Sequence, residues 1–173
     1  MPSEIMVNII TKFAVICFIG SLNGDIIIAP RMREQSGTFR NVENINEKFF
    51  WVRGYEDAVV YFFEDTNIST EVCRIVIGGD LNTLTRIWES GQNKNQTSDK
   101  VLLLESNTEK FKPFWIKWTT NSIIFGAGVK VGVGINLHLK LSLNAAIKYI
   151  SIRSRDYPIE YILDLSCSKI PIK

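Results

Sequence analysis

From Val129 to Leu143 the chain alternates without a miss. Val129, Val131, Val133, Ile135, Leu137, Leu139, Leu141 and Leu143 are apolar, and every residue between them is Lys, Gly, Asn, His or Ser. A period of two residues is that of a strand with one dry and one wet face, and no α-helix can produce it. The run is longer than an ordinary strand, so a bend at Gly132 or Gly134 is expected to divide it.

The remainder of the chain agrees. It holds 24 Ile and 12 Val against 6 Ala, and branched side chains suit a pleated, half-buried surface better than a helix. Short apolar or alternating runs recur at 49–53, 59–63, 72–77, 84–89, 101–105, 114–119, 122–126, 147–152 and 159–165. Turn-prone stretches such as Gly54-Tyr55-Glu56-Asp57, Gly78-Gly79 and Thr119-Thr120-Asn121 separate them. Residues 35–48 are polar and without period, an exposed lead-in with one short edge strand, and 90–100 reads as a polar loop. Nine to eleven short strands and no amphipathic helix predict an all-β fold, a β-sandwich of jelly-roll type or alternatively a flattened barrel. At 173 residues the chain is one domain long. A net charge of +2 gives no field that would make nucleic acid or an anionic membrane the main partner. A single His excludes any two-histidine metal site.

Residues 13–22 are apolar and small, preceded by Lys12 and followed by Asn23-Gly24. The run is too short for a transmembrane segment and has the length of a secretory signal, so removal near Gly24 is expected; the alternative is a buried N-terminal strand or helix. The expected organisation is therefore a signal peptide at 1–24, a lead-in at 25–48 and a β-sandwich at 49–173. Two features agree with a secreted, extracellular glycoprotein. Asn67-Ile68-Ser69 and Asn95-Gln96-Thr97 are glycosylation sequons in polar stretches. Cys17 leaves with the signal, and the remaining Cys73 and Cys167 form an even pair whose side chains fall on apolar strand faces, either as a disulfide or as two core thiols.

Gly126-Ala127-Gly128-Val129-Lys130-Val131-Gly132 superficially resembles the glycine loop of a nucleotide or S-adenosylmethionine site, but such a loop must open a helix, and here the glycines run into alternation. Bends or close strand approach explain them better. His138 sits between Asn136 and Lys140 on the polar face without a nearby nucleophile or carboxylate, which makes it a solvated histidine. Asp57, Asp80 and Glu105 are the carboxylates that could meet in space. Within Phe114-Trp115-Ile116-Lys117-Trp118, alternation puts Trp118 in the core and Trp115 on the face of Lys117, where an indole either stacks on a ligand or is covered by a loop or the second layer. Trp115 and the loop supplying Asp80, Asn82, Thr83 and Arg86 form the candidate contact surface for a glycan, a protein or a small apolar ligand. The sequence assigns no catalytic residue, cofactor or metal ligand.

Three segments in order carry a resemblance. Phe50-Trp51-Val52-Arg53-Gly54-Tyr55-Glu56-Asp57-Ala58 comes first, then Ile75-Val76-Ile77-Gly78-Gly79 with Asn82-Thr83. Phe114-Trp115-Ile116-Lys117-Trp118 follows, with Ile123 and Gly126-Ala127-Gly128. Together they resemble the farnesoic acid O-methyltransferase domain family from about Phe49 to Ile152. The chain departs from that pattern where Asp80 replaces a tryptophan after the Gly-Gly pair, and where Arg153-Ser154-Arg155-Asp156 replaces a glycine-rich ending. The resemblance implies a secreted, β-rich binding or interaction module; the family's name implies S-adenosylmethionine-dependent methyl transfer to farnesoic acid as the alternative.

Overall fold

A computed structural model of the chain describes residues 26–29, 39–92, 94–98, 104, 110–142 and 144–163. These build two antiparallel six-stranded sheets. The first has the order β1 (Ile26–Ile28), β12 (Glu160–Leu163), β3 (Glu47–Arg53), β8 (Lys112–Thr119), β9 (Ser122–Ala127), β10 (Ile135–Lys140). The second runs β2 (Phe39–Asn41), β11 (Tyr149–Ser154), β4 (Ala58–Phe63), β5 (Glu71–Gly78), β6 (Leu84–Glu89), β7 (Asn95–Ser98). This is the predicted all-β sandwich.

The core lies between the sheets and is built by alternation. Phe50 and Val52 of β3, Phe114, Ile116 and Trp118 of β8 and Phe125 of β9 face Val60 and Phe62 of β4, Ile75 and Ile77 of β5 and Ile152 of β11. Aromatic rings interlock in the first sheet, with Phe114 stacked on both Phe50 and Phe125 at centroid distances of 5.9 and 5.4 Å. Trp118 sits in this core, edge-on to Phe62 at 5.8 Å, as its alternation predicts. Cys73 is fully buried on the inner face, where burial pushes its thiol well above the ordinary range; its expected partner Cys167 lies outside the described residues. The Tyr161 hydroxyl crosses from the first sheet to the second, 3.3 Å from the carbonyl oxygens of both Val59 and Arg153.

Two expectations need revision. The long alternating run does not begin as a strand: Gly128, Gly132 and Gly134 take positive φ, Val129 and Val133 are exposed, and β10 starts only at Ile135. Three left-handed backbone positions within seven residues break a ladder that hydrophobic periodicity alone would continue. The 90–100 stretch is not all loop, because Asn95–Ser98 pairs with β6 as β7; polar residues suffice on an edge strand with both faces partly wet. The polar 35–48 stretch supplies its expected short edge strand, β2, and β1, which precedes that stretch, closes an edge of the first sheet. Of the predicted strand at 101–105, only Leu104 is described, and it is buried.

Candidate functional site

The second sheet turns two cross-strand ladders of side chains outward. One runs Arg153–Val59–Val76–Arg86–Thr97 and the next Ser151–Tyr61–Arg74–Trp88–Asn95, each residue directly opposite its neighbour in register. Directly opposed residues of an antiparallel pair share a face and stand about 5 Å apart at Cβ. Each ladder is therefore a continuous row. Tyr61 is held between two guanidiniums, Arg74 and Arg153, each 5.7 Å from its ring centroid, and Arg74 also lies 5.6 Å from the Trp88 ring. Glu71 fixes Arg74 from the side at 3.5 Å, and Arg86 Nε donates to Thr97 Oγ1 at 3.2 Å.

Over these ladders, towards the start of β4 and the end of β5, this face deepens into a cavity of about 460 Å³. Val59, Val76 and Leu84 form its apolar floor, and Arg74, Arg86 and Trp88 stand along it. Asp57, Asp80 and Arg155 occupy the opposite end. Asp57 has a left-handed backbone (φ 56°), and its amide donates to the Gly78 carbonyl at 3.0 Å, which ties it to the β5–β6 connection. Its carboxyl is raised above the ordinary aspartate range. Burial is the main cause; Arg155, 4.0 Å away, opposes it, and Asp156 and Asp80 add to it.

The connection itself is strained. Gly78, Asp80, Leu81 and Asn82 all take left-handed φ values, between 55° and 69°, before Thr83 returns to the right-handed region. Glycine, Asn and Asp tolerate this; Leu81 does not, and each such residue costs roughly 1–2 kcal/mol. Local hydrogen bonds hold the turn: the Thr83 amide donates to Gly79 O at 3.0 Å, the Thr83 hydroxyl to Asp80 O at 2.6 Å, and Asn82 Nδ2 to Leu104 O. Gly79 packs closely beside β5: a Cβ on it would lie 3.2 Å from Val76 Cγ1, closer than an ordinary contact.

Of the residues singled out in the sequence, Asp80 and Arg86 line this cavity. Asn82 and Thr83 support the turn and do not line it. Trp115 requires a correction. It belongs to the other sheet and is fully buried, its Nε1 donating to Val133 O at 2.9 Å and Gly126 facing it across the β8–β9 ladder. The glycine-bent loop after β9 covers the indole, so it presents no surface to a ligand. Trp88, Arg74 and Arg155 were not evident as site residues from sequence. Trp88 carries a usable signal, because it is two residues from Arg86 and alternation alone puts both on one face. His138 is exposed, on β10 of the other sheet. Asp57 and Asp80 do meet, whereas Glu105 lies outside the described residues. No cluster of three or more His, Cys, Asp or Glu suited to a metal occurs among the described residues, and no described helix is long and apolar enough to cross a membrane.

No curated protein matches the sequence. Similar solved structures include a single mutant of Congerin II (10% identity, covering 80% of this chain and 99% of that one, TM-score 0.48). Caenorhabditis elegans galectin LEC-6 is similar at 8% identity, 80% and 94% coverage and a TM-score of 0.44. Bacillus licheniformis β-glucanase is similar at 12% identity, 73% and 65% coverage and a TM-score of 0.43. A family model described as farnesoic acid O-methyl transferase matches residues 34–166, which span both sheets apart from β1. With most of its length inside that match, the chain belongs to the farnesoic acid O-methyl transferase family.

Proposed function

We propose that this chain is an exported β-sandwich module that binds a saccharide in the cavity on the outer face of its second sheet. The observation that carries the reading is the grouping of Trp88 with Arg74 and Arg86 on one wall and Asp57 with Asp80 on the other. A sugar ring offers an apolar C–H face that stacks on an indole, and adjacent hydroxyl groups that pair with planar guanidinium and carboxylate groups. A pocket with an apolar floor and a few convergent polar groups is the usual form of such a site. The Tyr61 stack supports it by fixing Arg74 before any ligand arrives.

The test is an array of neutral and acidic oligosaccharides followed by calorimetry of the best binder and, separately, of S-adenosylmethionine. Saturable oligosaccharide binding that is lost in Trp88→Ala is expected. Binding of S-adenosylmethionine, with none of any oligosaccharide, would overturn the reading in favour of the methyl transfer that the family description names. Capture of a protein or an apolar ligand alone would also overturn it.

A further inference from the structure

The sequon Asn95-Gln96-Thr97 lies on β7 directly beside the cavity wall. Asn95 is the register partner of Trp88, and Thr97 is the partner of Arg86. Trp88 and Arg86 both line the cavity. The Arg86 Nε to Thr97 Oγ1 hydrogen bond shows that the sequon's alternate side chains point to the cavity side of the sheet, and Asn95, two residues away, points the same way. Asn95 is exposed, and β7 is the edge of its sheet, bonded to β6 alone. A sugar joined to Asn95 Nδ2 would begin about one cross-strand spacing, roughly 5 Å at Cβ, from Trp88.

We infer that Asn95 is an N-glycan acceptor whose glycan stands over the open side of the cavity and controls access to it. As a gate on saccharide binding this rests on the function proposed above; as a cover over Trp88 it rests only on register and exposure. The second sequon provides the contrast. Asn67 precedes β5 at the end away from Gly79 and Asp80, where its side chain accepts from the Ser69 amide at 2.9 Å and caps a single 3-10 turn, Ile68–Thr70. A glycan there stands away from the cavity.

The experiment uses the full chain expressed in a secretory host, with glycan occupancy at each sequon read by peptide mapping. Hydroxyl-radical footprinting then compares Trp88 in the wild-type protein, in Asn95→Gln and in wild-type protein deglycosylated after folding. Ser69→Ala serves as control, because it destroys the other sequon and keeps the Asn67 cap. Labelling of Trp88 is expected to rise several-fold in Asn95→Gln and in the deglycosylated protein, and to stay unchanged in Ser69→Ala. Binding of the best oligosaccharide from the array should tighten about tenfold, since a tethered group at about millimolar effective concentration competes at that level with a site of about 0.1 mM affinity. An unoccupied Asn95, or equal Trp88 labelling with and without its glycan, would overturn the inference. Shielding of Trp88 without oligosaccharide binding by any form would leave the cover standing and reject the saccharide reading instead.

Discussion

Gly126 lies directly across the β8–β9 ladder from Trp115, and a methyl group on it would fall 2.3 Å from Cζ2 of the indole. Only glycine lets the ring lie flat over the neighbouring strand. Gly126→Ala must displace a fully buried indole and its bond to Val133 O, an overpacking that costs about 1–3 kcal/mol. Urea denaturation should show a lower midpoint at an unchanged slope, with a shifted tryptophan emission.

Trp88→Ala should separate binding from stability. The indole is only half-buried, and its described ring partner is Arg74 at 5.6 Å, a contact worth about 0.5–1 kcal/mol. Thermal unfolding should therefore move little. Oligosaccharide affinity should fall by more than about tenfold, or about 1.4 kcal/mol, in calorimetric titration.

Asp57 sets a pH dependence whose sign can be worked out. Its carboxyl is raised in the folded protein from an ordinary value of 3.8, first by burial, with Asp156 and Asp80 adding to the shift and Arg155 opposing it. The folded state therefore takes up the proton at a higher pH than the unfolded chain. Stability rises as pH falls from above the folded value towards 3.8, and the ionised group weakens the fold at neutral pH. Asp57→Asn keeps a residue that tolerates φ 56° and removes the buried charge. The variant should be more stable than wild type at about pH 7, with the gap closing towards about pH 4, by urea denaturation across that range.

Tyr161→Phe removes the hydroxyl that reaches from the first sheet to the Val59 and Arg153 carbonyls of the second. With Tyr161 fully buried, the loss should be about 0.5–1.5 kcal/mol in denaturant unfolding. Its size measures how firmly the two layers are tied at that end of the sandwich.

The sandwich is legible in the sequence because its inner faces obey alternation: Ile75, Ile77, Ile87 and Phe125 can be read as core residues from that pattern alone. Glycine backbone states are not legible. Val129 and Val133 continue the periodicity in sequence, yet the positive φ of Gly128, Gly132 and Gly134 turns their segment into a cover for Trp115. The same limit explains the site. Placing Trp115 by its face requires knowing what lies over that face, which depends on a loop about 18 residues away in the chain. Asp80 and Arg86 are readable because a turn and a strand adjacent in sequence present them. Arg155 and Arg74 come from segments far apart in the chain, and their convergence follows from strand order, which periodicity does not encode.

Strand β4, Ala58-Val59-Val60-Tyr61-Phe62-Phe63, is buried at every position. One face packs into the core and the other lies beneath the arginine and aromatic layer of the second sheet. Six uncharged residues of high β-propensity without proline form a segment prone to self-association once released from a fold. The outer layer is therefore also a guard. Any change that strips it, by removing Arg74, Arg153 or Tyr149 from above β4, exposes a sticky strand in the middle of a sheet. Loss of native structure in this protein should then end in precipitation, with refolding yield falling steeply as chain concentration rises.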